Sequence, residues 1–233
     1  MPEITESVRA VMARVADAAE RAGKKPEDII LVAASKMNDA ARVREAFEAG
    51  IRFFGENRVQ EMEEKFSAGA YEGAELHFIG HLQRNKVKNV VGRAALIESV
   101  DSEELIALIG KRAANRGIVQ RVLLEVNIGG EENKSGVKPE ETERLLEIVA
   151  STSGIQAEGL MAIPPASDDI ASTRRYFDAM RKLFVDISAK KYDNVSMKFL
   201  SMGMSADFEE AILAGANIVR VGTGIFGRRN YAL

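Results

Sequence analysis

Eight short apolar runs, alternating with stretches of helical spacing, leave this chain few folds to adopt. The runs are Ile29–Lys36, Ile51–Gly55, Leu76–Gly80, Leu96–Val100, Arg121–Asn127, Ile155–Ile163, Phe199–Met202 and Asn217–Val221. They are rich in β-branched and aromatic residues and are bounded by turn formers, which is the pattern of buried strands. Between them, sets such as Val43, Ala46 and Phe47, or Val59, Met62 and Phe66, recur at helical spacing. Strands that alternate with helices build a parallel sheet, and eight such units close into a (β/α)8 TIM-type barrel. A doubly wound open sheet is the alternative. It usually has fewer strands, and no Gly-x-Gly-x-x-Gly follows the first strand here.

The ends of the chain refine that picture. Thr5 to Ala22 is an amphipathic helix with Val8, Val11, Met12, Val15 and Ala19 on one face. Gly23 is its C′ residue, and Pro26 stops it. Only twelve residues follow Val221, too few for a closing helix. The N-terminal helix is therefore expected to fill the last helix position. No linker or shift in composition divides the chain, so residues 1–233 read as one domain. With 46% hydrophobic residues it can bury a sizeable core.

Composition removes several function classes. The formal net charge is −3, so no basic excess points to nucleic acid. There is no cysteine, which excludes disulfides and thiolate metal sites. The two histidines, His77 and His81, lack carboxylates at zinc-ligand spacing. No basic segment precedes an apolar run at the N-terminus, and no run is long enough to span a bilayer. A cytoplasmic protein without membrane contact is expected. It is expected to be a monomer, because no long apolar helix face lacks an assigned place.

Chemistry in barrels gathers at the C-terminal ends of the strands. The first run reads as a strand that ends on Lys36. A lysine amine reacts with an aldehyde only when deprotonated, and an apolar mouth disfavours its charged form. Lys36 is thus a candidate Schiff-base residue, against the plain reading of a lysine snorkelling at a strand end. Gly222 and Gly224 follow the eighth run and let backbone amides approach an anion. Ser201-Met202-Gly203-Met204-Ser205 follows the seventh, and barrels often bind phosphate in these two loops. Arg220 lies inside the eighth run and needs a partner or the mouth. Asn57, His81 and Met161 stand just beyond other strand ends, though Met161 also reads as core filling. A helix starting near Leu82 would put His81 and Asn85 on one face. Glu131–Gly136 reads as a mobile polar lid over the mouth, against the plainer reading of an ordinary surface loop. No serine or cysteine nucleophile pairs with either histidine in sequence.

Longer motifs carry a resemblance. They include Ala34-Ser35-Lys36, Phe54-Gly55-Glu56-Asn57 and His77-Phe78-Ile79-Gly80-His81-Leu82-Gln83-Arg84-Asn85-Lys86. Others are Gly159-Leu160-Met161, Leu200-Ser201-Met202-Gly203-Met204-Ser205 and Val219-Arg220-Val221-Gly222-Thr223. Together they make the chain similar to the pyridoxal-phosphate homeostasis family, single-domain relatives of the alanine racemase barrel. The resemblance implies pyridoxal 5′-phosphate (PLP) held as a Schiff base on Lys36. It implies Ser201, Met202, Gly222 and Thr223 at the phosphate, and Arg220 at the pyridine nitrogen. Asn57, His81 and Met161 would line the ring pocket. Met37-Asn38 departs from the family, where Thr and then Lys or Glu and Pro often stand.

Racemases of this fold carry a second domain whose tyrosine serves the other face of the cofactor. This chain is expected to lack one, and so to lack an acid–base partner opposite Lys36. The resemblance thus implies a carrier that takes part in vitamin B6 homeostasis without evident turnover. Apo-enzymes that use PLP are candidate recipients. A weak amino-acid racemase or other Schiff-base enzyme is the alternative. A Schiff-base aldolase acting on a sugar phosphate is a third reading, disfavoured by the motifs.

Overall fold

The computed structural model describes residues 3–165 and 169–227, and within them the barrel is closed. Its parallel strands are β1 (Ile30–Ala34), β2 (Phe53–Glu56), β3 (Glu75–Phe78), β4 (Leu96–Val100), β5 (Gln120–Glu125), β6 (Ile155–Met161), β7 (Val195–Ser201) and β8 (Ile218–Val221). They pair in chain order, and β8 returns to β1 with Ile218 opposite Ile30. Helix α1 (Ile4–Arg21) precedes β1. Helices α2 (Ala40–Glu48), α3 (Val59–Ser67), α4 (Val87–Val90), α5 (Glu103–Ala114), α6 (Thr142–Ala150), α7 (Ile170–Ser188), α8 (Phe208–Leu213) and α9 (Thr223–Phe226) follow the strands in turn. The stretch after Gly227, counted in the expected single domain, lies outside the described residues.

Helix α1 packs against α8, α9 and α2, so it fills the position left by the one-turn α9. Its buried face is Val8, Val11, Val15, Ala18 and Ala19. Arg14 adds a fork to Glu209, at 3.0 Å from Nε and 2.8 Å from Nη2, and lies over the Phe208 ring. The helix ends in a Schellman motif. Gly23, at φ 70°, donates to Glu20, and Lys24 donates to Ala19.

Three expectations change. β1 stops at Ala34, and Lys36 stands in the turn beyond it, because Met37 at φ 62° bends the chain away from the ladder. The helix expected from Leu82 or Arg84 is a 3-10 turn at Arg84–Lys86 and a single α-turn, α4. His81 and Asn85 therefore share no helix face. The chain reverses again at Gly92, φ 75°, to enter β4, which leaves no room for a longer helix. β7 begins at Val195 rather than Phe199, since Ser196 and Lys198 interrupt its apolar signal.

The barrel interior is layered. Val32, Leu96, Leu123, Met161 and Ile218 form an apolar layer, flanked by Phe53 and Phe199. Towards the mouth the next inward positions are polar: Glu98, Ser201, Arg220 and Glu125, all buried. Towards the other end Glu158 closes the barrel, taking Arg121 at 2.5 Å and Lys198 at 3.1 Å. Among the described residues no helix is long and apolar enough to cross a membrane, and no His/Asp/Glu group could hold a metal ion.

Candidate functional site

The turn that presents Lys36 is built from both sides. Ser35 extends the ladder by one bond, donating to the Gly55 carbonyl at 3.0 Å. Below it, Glu56 Oε1 accepts from Ser35 Oγ at 2.7 Å, Lys65 Nζ at 2.6 Å and Tyr71 Oη at 2.9 Å. Burial, and then the charge of Glu56, push the Tyr71 phenol far up, so it stays a donor. Above it, the Met37 amide donates to Glu61 Oε2 at 2.6 Å. That bond supports a left-handed backbone that a non-glycine residue adopts at a cost of roughly 1–2 kcal/mol. Asn38 Nδ2 donates to the Lys36 carbonyl at 3.1 Å, and Arg42 Nε donates to Asn38 Oδ1 at 2.9 Å. Arg42 Nη2 then reaches the Phe226 carbonyl at 2.6 Å, joining the Lys36 turn to the loop after β8.

That loop has the shape of an oxygen cradle. The amides of Gly222 and Gly224 converge on Ser205 Oγ, at 3.1 and 3.3 Å. A Cβ on Gly222 would lie 3.3 Å from the Ala34 carbonyl oxygen, so the cradle opens beside the end of β1. Thr223 follows and is exposed. Ser205 is the residue that the site reading from sequence passed over. It lies in a motif already singled out, but nothing local says that its hydroxyl turns to the next loop.

Two residues expected at the phosphate stand elsewhere. Met202 is fully buried in the layer between barrel and helices, and its amide donates to Ile218 at 3.2 Å. Ser201 points into the barrel, where its hydroxyl donates to Glu98 Oε2 at 2.6 Å and accepts from Arg220 Nη1. The alternation of a strand explains both, since neighbours face opposite sides.

Arg220 is 4% exposed. Besides Ser201 it holds the Ala162 carbonyl at 2.9 Å through Nη2, with Glu98 Oε2 at 3.8 Å. Burial pulls its guanidinium down, against the pull of Glu98, Glu125 and Asp207. Burial pushes the Glu98 carboxyl up, but contacts with His77, Arg220 and Ser201 hold it below its ordinary value. Glu125 is the reverse case. Burial, and then the nearby Asp101, push it up to about 7 despite Arg220. Both glutamates sit within apolar runs, as Arg220 does, and that incongruity was the signal available in the sequence.

Asn57 and His81 meet at the rim between β2 and β3. They line a polar cleft of about 320 Å³ with Arg58, Gln60, Gln83 and Lys86. Asn57 directly follows β2, and its Oδ1 is a buried acceptor without a hydrogen-bond partner among the described residues. His81 is exposed, with Nδ1 3.4 Å from Ser135 Oγ and 3.9 Å from Asp101 Oδ2. Serine and aspartate address the same ring nitrogen, so the three form no hydrolase relay. Met161 is fully buried in the apolar layer beneath the mouth. The loop carrying Glu131–Gly136 is pinned by a bridge between Val126 and Val137 and by Asn127, which bonds the Glu131 carbonyl at 2.8 Å.

The Lys36 turn, an oxygen cradle and a buried arginine thus share one barrel mouth. The family model described as alanine racemase, N-terminal domain, matches residues 7–230. The chain belongs to the alanine racemase N-terminal domain family. Within that family it is 44% identical to the pyridoxal phosphate homeostasis protein of Aquifex aeolicus, over 97% of this chain and 98% of that one. The solved structure of an unknown protein from Bifidobacterium adolescentis superposes with a TM-score of 0.89 at 40% identity, covering 96% of this chain and 94% of that chain. PipY of Synechococcus elongatus, solved with PLP bound, has a TM-score of 0.79 at 32% identity and covers 91% of this chain and 100% of its own. The racemase-type barrel of this family is therefore matched over nearly its whole length.

Proposed function

We infer that this chain binds pyridoxal 5′-phosphate and serves intracellular vitamin B6 homeostasis as a carrier rather than a turnover enzyme. The observation that carries this reading is the meeting, at one mouth, of the Lys36 turn and the Gly222–Gly224 cradle. PLP supplies an aldehyde that condenses with an amine, and a phosphate that needs donors. Lys36 would take the aldehyde covalently through Nζ. The amides of Gly222 and Gly224, with the hydroxyls of Thr223 and Ser205, match the phosphate. The two amides already donate to one oxygen, Ser205 Oγ, which supports this assignment. Asn57 Oδ1, buried and unpartnered among the described residues, suits a donor on the ligand. His81 supplies the rim, and Met161 packs beneath the site. Ser201 acts behind Arg220 rather than at the phosphate.

Arg220 supports the carrier reading. A guanidinium facing a ring nitrogen keeps that nitrogen unprotonated, which limits electron withdrawal into the ring. The relatives named above as homeostasis proteins agree with it. We further propose that the protein is a cytoplasmic monomer and that apo-enzymes receive its cofactor.

The test is the visible spectrum of the purified protein after incubation with PLP, compared with Lys36→Ala. A yellow band that the substitution removes is expected. A colourless wild-type protein that takes up no PLP would overturn the reading. Exchange of solvent deuterium into the Cα position of alanine separates carrier from enzyme: negligible exchange is expected, and rapid Lys36-dependent exchange would make the protein an enzyme.

A further inference from the structure

The mouth layer of the barrel contains a buried charge pair. One layer below, Leu96, Leu123 and Ile218 fill equivalent space with apolar atoms. Glu98 instead is wholly buried on β4. Its Oε1 lies 2.6 Å from His77 Nδ1, and its Oε2 accepts from Ser201 Oγ at 2.6 Å and stands 3.8 Å from Arg220 Nη1. Ser201 has one hydroxyl proton and accepts from the guanidinium, so that proton belongs to the bond with Glu98. The chain of donors therefore runs one way, from Arg220 through Ser201 to Glu98. Arg220 Nη2 is held on the other side by the Ala162 carbonyl. These bonds use two of the five N–H donors of a rigid, planar fork and set its orientation from behind.

We propose that Glu98 is a positioning residue, which fixes the aim and charge of Arg220 through Ser201 and so sets the electronic state of the ring bound at the mouth. The inference rests on the reading of this mouth as a PLP site. A buried pair of this kind often contributes little net stability compared with apolar filling, which makes a positioning role the better account of its presence. Glu125 does not substitute for Glu98. Its carboxyl is pushed up to about 7, whereas contacts with His77, Arg220 and Ser201 hold the Glu98 carboxyl below its ordinary value. His77 orients the same carboxylate from its far side, packed edge-on against Phe53.

The experiment uses the full chain as wild type, Glu98→Gln and Ser201→Ala, each loaded with PLP isotopically labelled at the ring nitrogen. The readouts are the nuclear magnetic resonance of that nitrogen and the pH midpoint of the visible band. Glu98→Gln is expected to retain a visible band, to move the ring resonance, and to shift the midpoint by about half a pH unit or more. Ser201→Ala keeps the charge pair but removes the bridge, and a smaller change in the same direction is expected. A folded Glu98→Gln with the wild-type resonance and midpoint overturns the proposal. If Glu98→Gln does not fold, Ser201→Ala decides, and a wild-type resonance there overturns it. Wild-type protein that takes up no PLP overturns the site reading and this inference together, whereas normal uptake with unchanged variants overturns this inference alone.

Discussion

Lys65 donates to the carbonyl oxygen of Ser35 at 2.7 Å, so a buried cation on α3 grips the residue immediately before Lys36. The same ammonium lies 2.6 Å from Glu56 Oε1. Both side chains are almost wholly shielded from water, so neither charge is solvated if the other is removed. Lys65→Met is expected to destabilise the fold by roughly 3–5 kcal/mol, the usual result of stranding a buried charge. Urea denaturation measures it, and a loss below about 1 kcal/mol would mean that Tyr71 and Ser35 alone compensate Glu56.

Arg42 is the second tie on that turn, bridging Asn38 and the Phe226 carbonyl. Removing a charged donor from a carbonyl costs about 1.5–3 kcal/mol. Arg42→Ala should lose stability in that range and weaken PLP uptake, because the Lys36 turn and the cradle would no longer be held together. Titration of PLP into the folded variant reads the second effect. Unchanged affinity would show that the two loops are positioned independently.

Two glycines separate folding from binding. A Cβ on Gly159, at φ 151°, would lie 1.8 Å from the Phe199 carbonyl oxygen. Gly159→Ala must therefore displace β7, and a loss of roughly 3 kcal/mol or failure to fold is expected. Gly222 has a negative φ, and its Cβ would meet only the Ala34 carbonyl at 3.3 Å and its Cβ at 3.5 Å. Gly222→Ala should fold with a loss of about 1 kcal/mol and bind PLP about tenfold more weakly or worse. The contrast fails if Gly222→Ala binds as wild type.

Glu125 makes stability depend on pH. Its carboxyl is pushed up to about 7 from an ordinary 4.5. Between those values the folded chain keeps a proton that the unfolded chain has released. Stability contributed by this group is therefore present at low pH and lost as pH rises through 7. The full effect is about 3 kcal/mol. Glu125→Gln removes the titration, so it should match wild type near pH 4 and exceed it by about that amount at pH 8. Parallel stability curves for the two proteins across this range would contradict the assignment.

Some of the site was legible in the sequence, and the rest was not for a specific reason. Lys36 and the Gly222–Gly224 loop stood out because they sit directly after apolar runs. The resemblance implies both Ser201 and Met202 at the phosphate, and a single sequence does not say which of two neighbours faces inward. The inward set depends on register shifts in β4, β5 and β6, which only strand pairing produces. Glu98 and Ser201 are 103 positions apart, and no local pattern connects them.

What the sequence determined by itself follows from short-range rules. Hydrophobic periodicity marked eight strands, the helices between them and the place of α1, and glycine marked the loops where the backbone turns or an oxygen approaches. Tertiary structure decided the electrostatics. Closing the barrel brought Glu98, Ser201 and Arg220 into one dry layer, raised Glu125 and set Lys65 beneath the Lys36 turn. The physical reason is that strand and helix propensities act over a few residues, whereas burial and charge pairing depend on which distant residues the closed barrel brings within a few ångströms.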